Sequence, residues 1–272
     1  MPFELIPAFT FPMGLPSRYP FRVFPSVVPY KGGWIGLIRE HDPDSPSWQR
    51  TDLRIVIYDK DRRLISDQYF CHGEDPRCFL HSGHPYALIY DFNGDTFRYA
   101  LLDLIARTIA YLESDVDGKN FVPLVDLNVA HGDKPFYVIQ NLCPLIISRL
   151  EPQTGTLTRT VGAGAKIQRG NVGPWRGGTP AYRIGDKLIG YGHQSVSFDI
   201  HRVFRWEYDT NDPRAEIGVR VLSNNKSLMD PTSLWVDPVT GDDMILVGEV
   251  GFRWSVTQPS RAVAYRVKEV AE

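Results

Sequence analysis

Residues 71 to 84 read CHGEDPRCFLHSGH, placing two cysteines, three histidines, two acids and an arginine within fourteen positions. Two chemistries fit such a stretch: soft ligands at close spacing suit a metal, and a carboxylate beside a proline and an arginine suits proton transfer. Zinc ligands usually come in pairs two to four residues apart. Cys71 and Cys78 are seven apart with no second pair following, and His72, His81 and His84 would point to both faces of a short strand. No metal site is expected, and the cysteines read as small buried hydrophobes. In GEDPRCF, Gly73 permits a tight backbone, Pro76 biases Asp75 towards an extended conformation, and the apolar run that follows begins a strand. Asp75 is therefore a candidate proton donor at a strand start, with Glu74 and Arg77 close enough to tune its charge. The plain alternative is an Asp-Pro turn beside a surface arginine.

Two further strings carry charge into apolar runs. DGKNFVPL brings up Lys119 and Asn120, and WRGGTPAYRIGDKLIGYGHQS sets Trp175 and Arg176 before two glycines and ends a strand at His193. Glycines let a backbone approach a ligand closely, and arginine offers a planar fork matched to phosphate or carboxylate oxygens. Lys119, Arg176 and His193 together would make an anion pocket. Neither string is a phosphate-binding P-loop, which needs GxxxxGK[ST]. Taken singly, each residue also has an ordinary reading as a solvated turn lysine, a glycine bulge or a satisfied core histidine.

The elements that must position these residues are strands. LRIVIYDKDRRLISDQYF pairs two β-branched or aromatic runs around Asp59 to Arg62, and YALIYDFNGDTFRYALLDL repeats the pattern around Asn93-Gly94, a strong hairpin signal. DLIARTIAYLES, residues 103 to 114, is the best helical candidate, yet its Ile, Thr and Tyr content reads as strand. Short strands punctuated by 21 prolines and 23 glycines imply a sandwich, barrel or propeller. Polar residues placed at strand starts, Asp75, Asn120, Arg176 and Glu249, are 45, 56 and 73 positions apart. A four-stranded propeller blade needs roughly 40 to 50 residues, so the chain is expected to be all-β, a five-bladed β-propeller forming one domain over residues 1–272.

Composition excludes several classes. A chain of 272 residues that is 43% hydrophobic and 23% charged can bury a sizeable core, and a net charge of −2 draws it to neither nucleic acid nor acidic membrane surfaces. No stretch approaches eighteen apolar residues, and the start lacks a basic segment and is broken by prolines, so neither a membrane span nor a signal peptide is expected. Three cysteines argue against a disulfide framework and fit a reducing compartment, the cytoplasm.

In order and spacing, GEDPR, KNFVPL, RGGTPAY and GYGH resemble the motifs of the glycoside hydrolase family 130 phosphorylases, over residues of roughly 20 to 255. The resemblance implies a five-bladed propeller that acts on β-mannosides or related glycosides with inversion. It implies that Asp75 is the general acid, that Lys119, Asn120, Arg176 and His193 hold phosphate, and that Arg39 in IGLIRE contacts the sugar. Glu74 and Arg77, which flank the acid in the same motif, and Glu249 in LVGEVGF, which takes the place of the family's C-terminal acidic residue, are placed with Arg39 among the sugar-binding residues. The family's Asn-Pro-Ser appears here as FPSVV and its Asp-Pro-His as NLCPLI. Similar sequences include glycosyltransferases that use sugar nucleotides, so the sequence sets a phosphate-dependent phosphorylase beside a sugar-nucleotide transferase and a noncatalytic glycan-binding propeller. No cofactor is expected, because inorganic phosphate or a sugar nucleotide would enter as substrate. The partner is then a glycan, and association between copies of the chain is left open.

Overall fold

The computed structural model describes residues 3–14, 21–41, 51–92, 97–114, 120–125, 136–162, 175–197, 200–212, 217–222, 228–250 and 260–270. Among them the chain is all β. It runs through β1 (Phe3–Phe11), β2 (Phe21–Tyr30), β3 (Gly33–His41), β4 (Thr51–Tyr58), β5 (Leu64–His72), β6 (Glu74–His81), β7 (His84–Phe92), β8 (Phe97–Asp103) and β9 (Thr108–Tyr111). It continues through β10 (Val122–Val125), β11 (Phe136–Leu142), β12 (Leu145–Glu151), β13 (Thr156–Val161), β14 (Trp175–Gly177), β15 (Ala181–Ile184) and β16 (Lys187–Ser197). The last strands are β17 (Ile200–Asp209), β18 (Gly218–Val221), β19 (Leu228–Val236), β20 (Asp243–Val250) and β21 (Arg261–Glu269). No helix among the described residues is long and apolar enough to cross a membrane.

Local chemistry accounts for the reversals. Between β4 and β5 the Asp59 carboxylate accepts the amides of Asp61 and Arg63 at 2.9 and 2.8 Å, and Arg62 takes a left-handed φ of 64°. Asn93-Gly94 lies outside the described residues, but β7 and β8 on either side of it pair antiparallel. Residues 103–114 are not one strand. Asp103 ends β8 by accepting the amides of Ile105 and Ala106 at 2.9 and 2.8 Å, and β9 starts only at Thr108.

β2–β5 and β6–β9 each form a four-stranded antiparallel sheet. The remaining strands make an open path, β1-β21-β20-β19-β17-β16-β15-β10-β11-β12-β13, with β14 on β16 and β18 on β17. Two joints in that path, β10 with β15 and β17 with β19, are parallel. The first strand pairs with the last, Phe3 opposite Glu269, so the two ends of the chain share one sheet.

Burial falls from inner to outer strands. β3 is buried almost throughout, β13 alternates, and β18 is exposed at every position. Sheets packed on both faces demand apolar residues on both, and an outer strand answers to one neighbour only. The interlayers are distinct. Leu37, Leu53 and Ile55 meet Ala87, Ile89 and Leu102; Ile38 and Val56 meet Met244 and Leu246; Ile139 and Ile147 meet Leu188, Phe204 and Trp206.

Where inner strands meet, hydroxyls replace hydrocarbon. Ser26 on β2, fully buried, donates to the Thr232 carbonyl on β19 at 3.0 Å, accepts the Cys78 amide on β6 at 2.8 Å, and lies 2.9 Å from Ser233 Oγ. Three sheets are thereby tied through one side chain. Ser26→Ala leaves the buried Cys78 amide unpaired and is expected to lower stability by about 1–3 kcal/mol, read as a shift in the urea midpoint with an unchanged slope.

Candidate active site

Asp75 is the second residue of β6, at a bulge. Glu74 faces Tyr90 and Arg77 faces Leu88, so Asp75 and Pro76 together stand opposite Ile89 alone. The bulge removes Asp75 from the alternation between sheet faces. The expected extended backbone is not found: Asp75 has φ +52°, left-handed in spite of the following proline. Packing overrides the local bias and holds a conformation that is sparsely populated for a residue with a Cβ. On β2 Phe24 does the same, at φ +48° before Pro25.

Arg39, near the end of β3, fixes the acid. Its guanidinium reaches Asp75 Oδ1 at 2.9 Å and Glu74 Oε2 at 3.0 Å, and its Nε donates to Thr51 Oγ1 at 3.0 Å. Thr51 in turn donates to the Gly73 carbonyl at 2.7 Å, which closes the circuit onto the turn before β6. Glu74 is fully buried, whereas the Asp75 side chain keeps 19% exposure, so of the two acids Asp75 is the one open to solvent. Arg39, expected as a sugar contact, is 6% exposed in its side chain and is engaged by Asp75, Glu74 and Thr51. Beside this group a second buried set is balanced in charge: Arg22 pairs with Glu40 at 3.1 Å and Asp67 at 2.6 Å, and Arg54 with Asp67 at 2.5 Å.

Arg77 turns to the neighbouring strand, where it donates to Asn120 Oδ1 at 3.0 Å. Asn120, buried and with φ +69°, stands just before β10. Arg176 and His193 are direct cross-strand partners on β14 and β16. The glycines after Arg176 serve contacts different from those expected. A Cβ on Gly177 would lie 2.4 Å from the Asn120 carbonyl oxygen, and one on Gly178 would lie 2.8 Å from the carbonyl oxygens of Pro231 and Tyr191. They let protein backbones close on each other and draw Arg176 against Asn120. Arg77, Asn120, Arg176 and His193 therefore come together, while Lys119 lies outside the described residues.

His193 does not carry the charge expected of it. Complete burial pushes its imidazole down to about 3, with Asp230 opposing and His201, Arg77 and Arg176 adding to the fall, so it is neutral near pH 7. The imidazole whose charged form Asp230 favours is His201 on β17. Burial works against its proton, but the Asp230 carboxylate and its hydrogen bond outweigh that and raise it above the usual histidine range. His201 Nδ1 lies 2.7 Å from Asp230 Oδ1, and the two histidine rings stack with centroids 4.8 Å apart. For Asp230, burial favours the neutral acid, and the histidines with Arg77 reverse this and hold the carboxyl below the ordinary range.

Asp230 and His201 escaped the sequence reading, although Asp230 had a signal. Asp-Pro occurs five times, at 42–43, 75–76, 212–213, 230–231 and 237–238, but only 76 and 231 fall in the series Pro25, Pro76, Pro123, Pro180 and Pro231, which recurs at intervals of 51, 47, 57 and 51. Each stands in or just before an inner strand, where a residue without an N–H is tolerated. Glu249 stands apart from this series. It is the next-to-last residue of β20, opposite Met229, and so on the other sheet face from Asp230. Its carboxylate accepts from Arg261 at 2.8 Å and from Tyr265. Among the aromatic residues, Trp34 packs among Phe9, Phe11 and Trp235, and Tyr191 bonds Asp243, so both belong to the packed interior.

No metal ligands gather from residues 71–84. His193, His201 and Asp230 do offer one ligand atom each within 4.8 Å of one another. With two guanidiniums in electrostatic reach and an Asp230 oxygen bonded to His201, this trio is an ion pair in a positive surrounding.

The fold is one shared by carbohydrate-active enzymes. A structure from glycoside hydrolase family 130, described as mannoside phosphorylases that contain glycoside hydrolases targeting β-1,2 mannosidic linkages in Candida mannan, aligns with a TM-score of 0.65 at 10% identity over 97% of this chain and 93% of that one. A glycosyl hydrolase from Bacteroides ovatus gives 0.65 at 9% over 90% and 83%. The catalytic domain of the Coprinopsis cinerea family 62 α-L-arabinofuranosidase gives 0.63 at 12% over 98% of both chains. Identities this low establish likeness of fold. No family model and no curated protein matches the sequence.

Gly177→Ala is expected to cost about 1–3 kcal/mol, since the new methyl meets backbone rather than a flexible side chain, and to be visible as a lower Tm. His193 also sets an acid limit. Neutral when folded but with an ordinary value of 6.5 when unfolded, it supports stability above that pH and withdraws it as the pH falls towards 3. Denaturation between pH 6.5 and 4.5 should lose up to ~1.4 kcal/mol per pH unit from this group, and His193→Gln should flatten that limb.

Proposed function

We propose that the chain is an inverting carbohydrate-active enzyme, a phosphate-dependent β-glycoside phosphorylase of mannoside type, built as a single five-bladed propeller. β2–β5, β6–β9, β10–β13, β14–β18 and β19–β21 closed by β1 are read as its blades, and the site lies where their inner strands meet. The observation that carries the reading is the placement of Asp75. It is held by Arg39 at 2.9 Å at a bulge, partly open, with His201 in electrostatic reach. Arg77 and Arg176 lie in turn within reach of His193.

In this reading a phosphate oxygen attacks the anomeric carbon from the ring face opposite the aglycone. The bond from that carbon to the glycosidic oxygen breaks, and the Asp75 proton passes to the departing oxygen, directly or through a sugar hydroxyl. Phosphate is already a nucleophile, so a hydrolase's second carboxylate is dispensable. Arg176, Arg77 and Asn120 hold the anion in line, with Lys119 assigned to the same task by motif alone; positioning and charge stabilisation then supply most of the rate. The same cations fit a nucleotide's diphosphate, and run in reverse Asp75 acts as base.

Incubation with β-mannosides and inorganic phosphate should release an α-sugar 1-phosphate, and Asp75→Asn should lower turnover by roughly 10²- to 10⁴-fold without loss of fold. Absence of turnover across a broad β-glycoside panel defeats the phosphorylase reading. Thermal stabilisation by UDP- or GDP-sugars at low concentration would then favour the transferase.

A further inference from the structure

Two imidazoles stand over one carboxylate oxygen. His201 Nδ1 is 2.7 Å from Asp230 Oδ1 and His193 Nδ1 is 3.4 Å from the same atom, with the rings inclined by only 15°. Two imidazolium charges at that separation repel strongly once out of water, so the pair carries one proton in excess. His201 keeps it, because its contact is a true hydrogen bond and its side chain retains 13% exposure against 4% for His193. With Nδ1 engaged by Asp230, Nε2 is the nitrogen left to meet a ligand.

The charges around His201 fall on several strands. Asp230 on β19 lies behind it, Arg176 on β14 opposes its proton, and Asp75 on β6 favours it, while His193 on β16 is stacked against it. Of the two stacked rings, His193 is the neutral one. His201, raised by Asp230 from its ordinary value, is therefore the member of this group that can gain or lose a proton as the pH changes.

We propose that His201, braced by Asp230, is the proton-carrying cation of the anion pocket and donates from Nε2 to the bound anion, so that the grip on the anion weakens as His201 loses its proton. This rests on the anion-pocket reading above and adds to it a residue and a pH dependence. It also separates phosphorolysis from hydrolysis at the same site: a His201 that binds phosphate must be protonated, whereas a His201 that activates water must be neutral, so the two reactions have opposite pH limbs.

Sulfate is the suitable probe, since it stays a dianion from pH 5.5 to 8.5 and any change in affinity then belongs to the protein. Titration of the full chain at constant ionic strength should show affinity falling about tenfold per pH unit once above the His201 value, with the slope abolished in His201→Gln. Calorimetry of the unaltered protein in two buffers of different ionisation enthalpy tests the same point without a variant. Proton uptake should approach one per sulfate at the alkaline end. Binding that is independent of pH, or that takes up no proton, overturns the role of His201 and leaves the pocket standing. An unchanged slope in His201→Gln does the same. A failure of sulfate to bind at any pH overturns the pocket and this proposal together.

Discussion

A charge taken out of water must be met by an opposite charge, and among the described residues Arg22, Arg39, Glu40, Glu74, Arg77 and Asp230 are all withdrawn from water. Arg39 is 5% exposed and faces two carboxylates; Arg22 is 4% exposed and faces two more. Such pairs add little net stability relative to hydrocarbon, but removing one partner leaves an uncompensated charge. Their effect is to dictate position. Asp75 has its place because Arg39 cannot be buried without it and Glu74, and Arg39 is itself oriented by Thr51.

The backbone supplies the other half of the arrangement. β2 and β6 carry a proline and irregular pairing that an ordinary sheet interior would not accept, and they can do so because each is the edge strand of its four-stranded sheet. The extra residues at Phe24–Pro25, Asp75–Pro76 and Thr232 shorten the ladder on one side and bend the strands towards one another. Ser26 then bridges three of them. Left-handed backbone at Asp75 and Asn120 is held by this packing, and it falls on two residues of the candidate site.

Electrostatics divides the two histidines in a way residue type alone would not suggest. Both face Asp230, yet depth separates them, and the ring that lost all contact with water lost its proton as well. The neutral imidazole packs; the other, with Asp230 favouring its charged form, keeps more of its side chain open to solvent. Likewise the glycines after Arg176, which suggested a ligand's approach, admit Asn120 and Pro231 instead and bring Arg176 to the site indirectly.

Much was determined by sequence alone, because it depends on neighbours along the chain. Strand periodicity, the Asp59 turn and the motif order that singles out Asp75, Asn120, Arg176 and His193 all rest on local spacing. Tertiary structure decided what depends on residues remote in sequence. Asp75 and Asp230 are 155 positions apart, and no local pattern could place His201 beside both, set Arg39 behind the acid or turn Glu249 to the opposite face. The charge on a histidine is of the same kind: it is a property of burial and of the opposing carboxylate, and both come into being only when the sheets have packed.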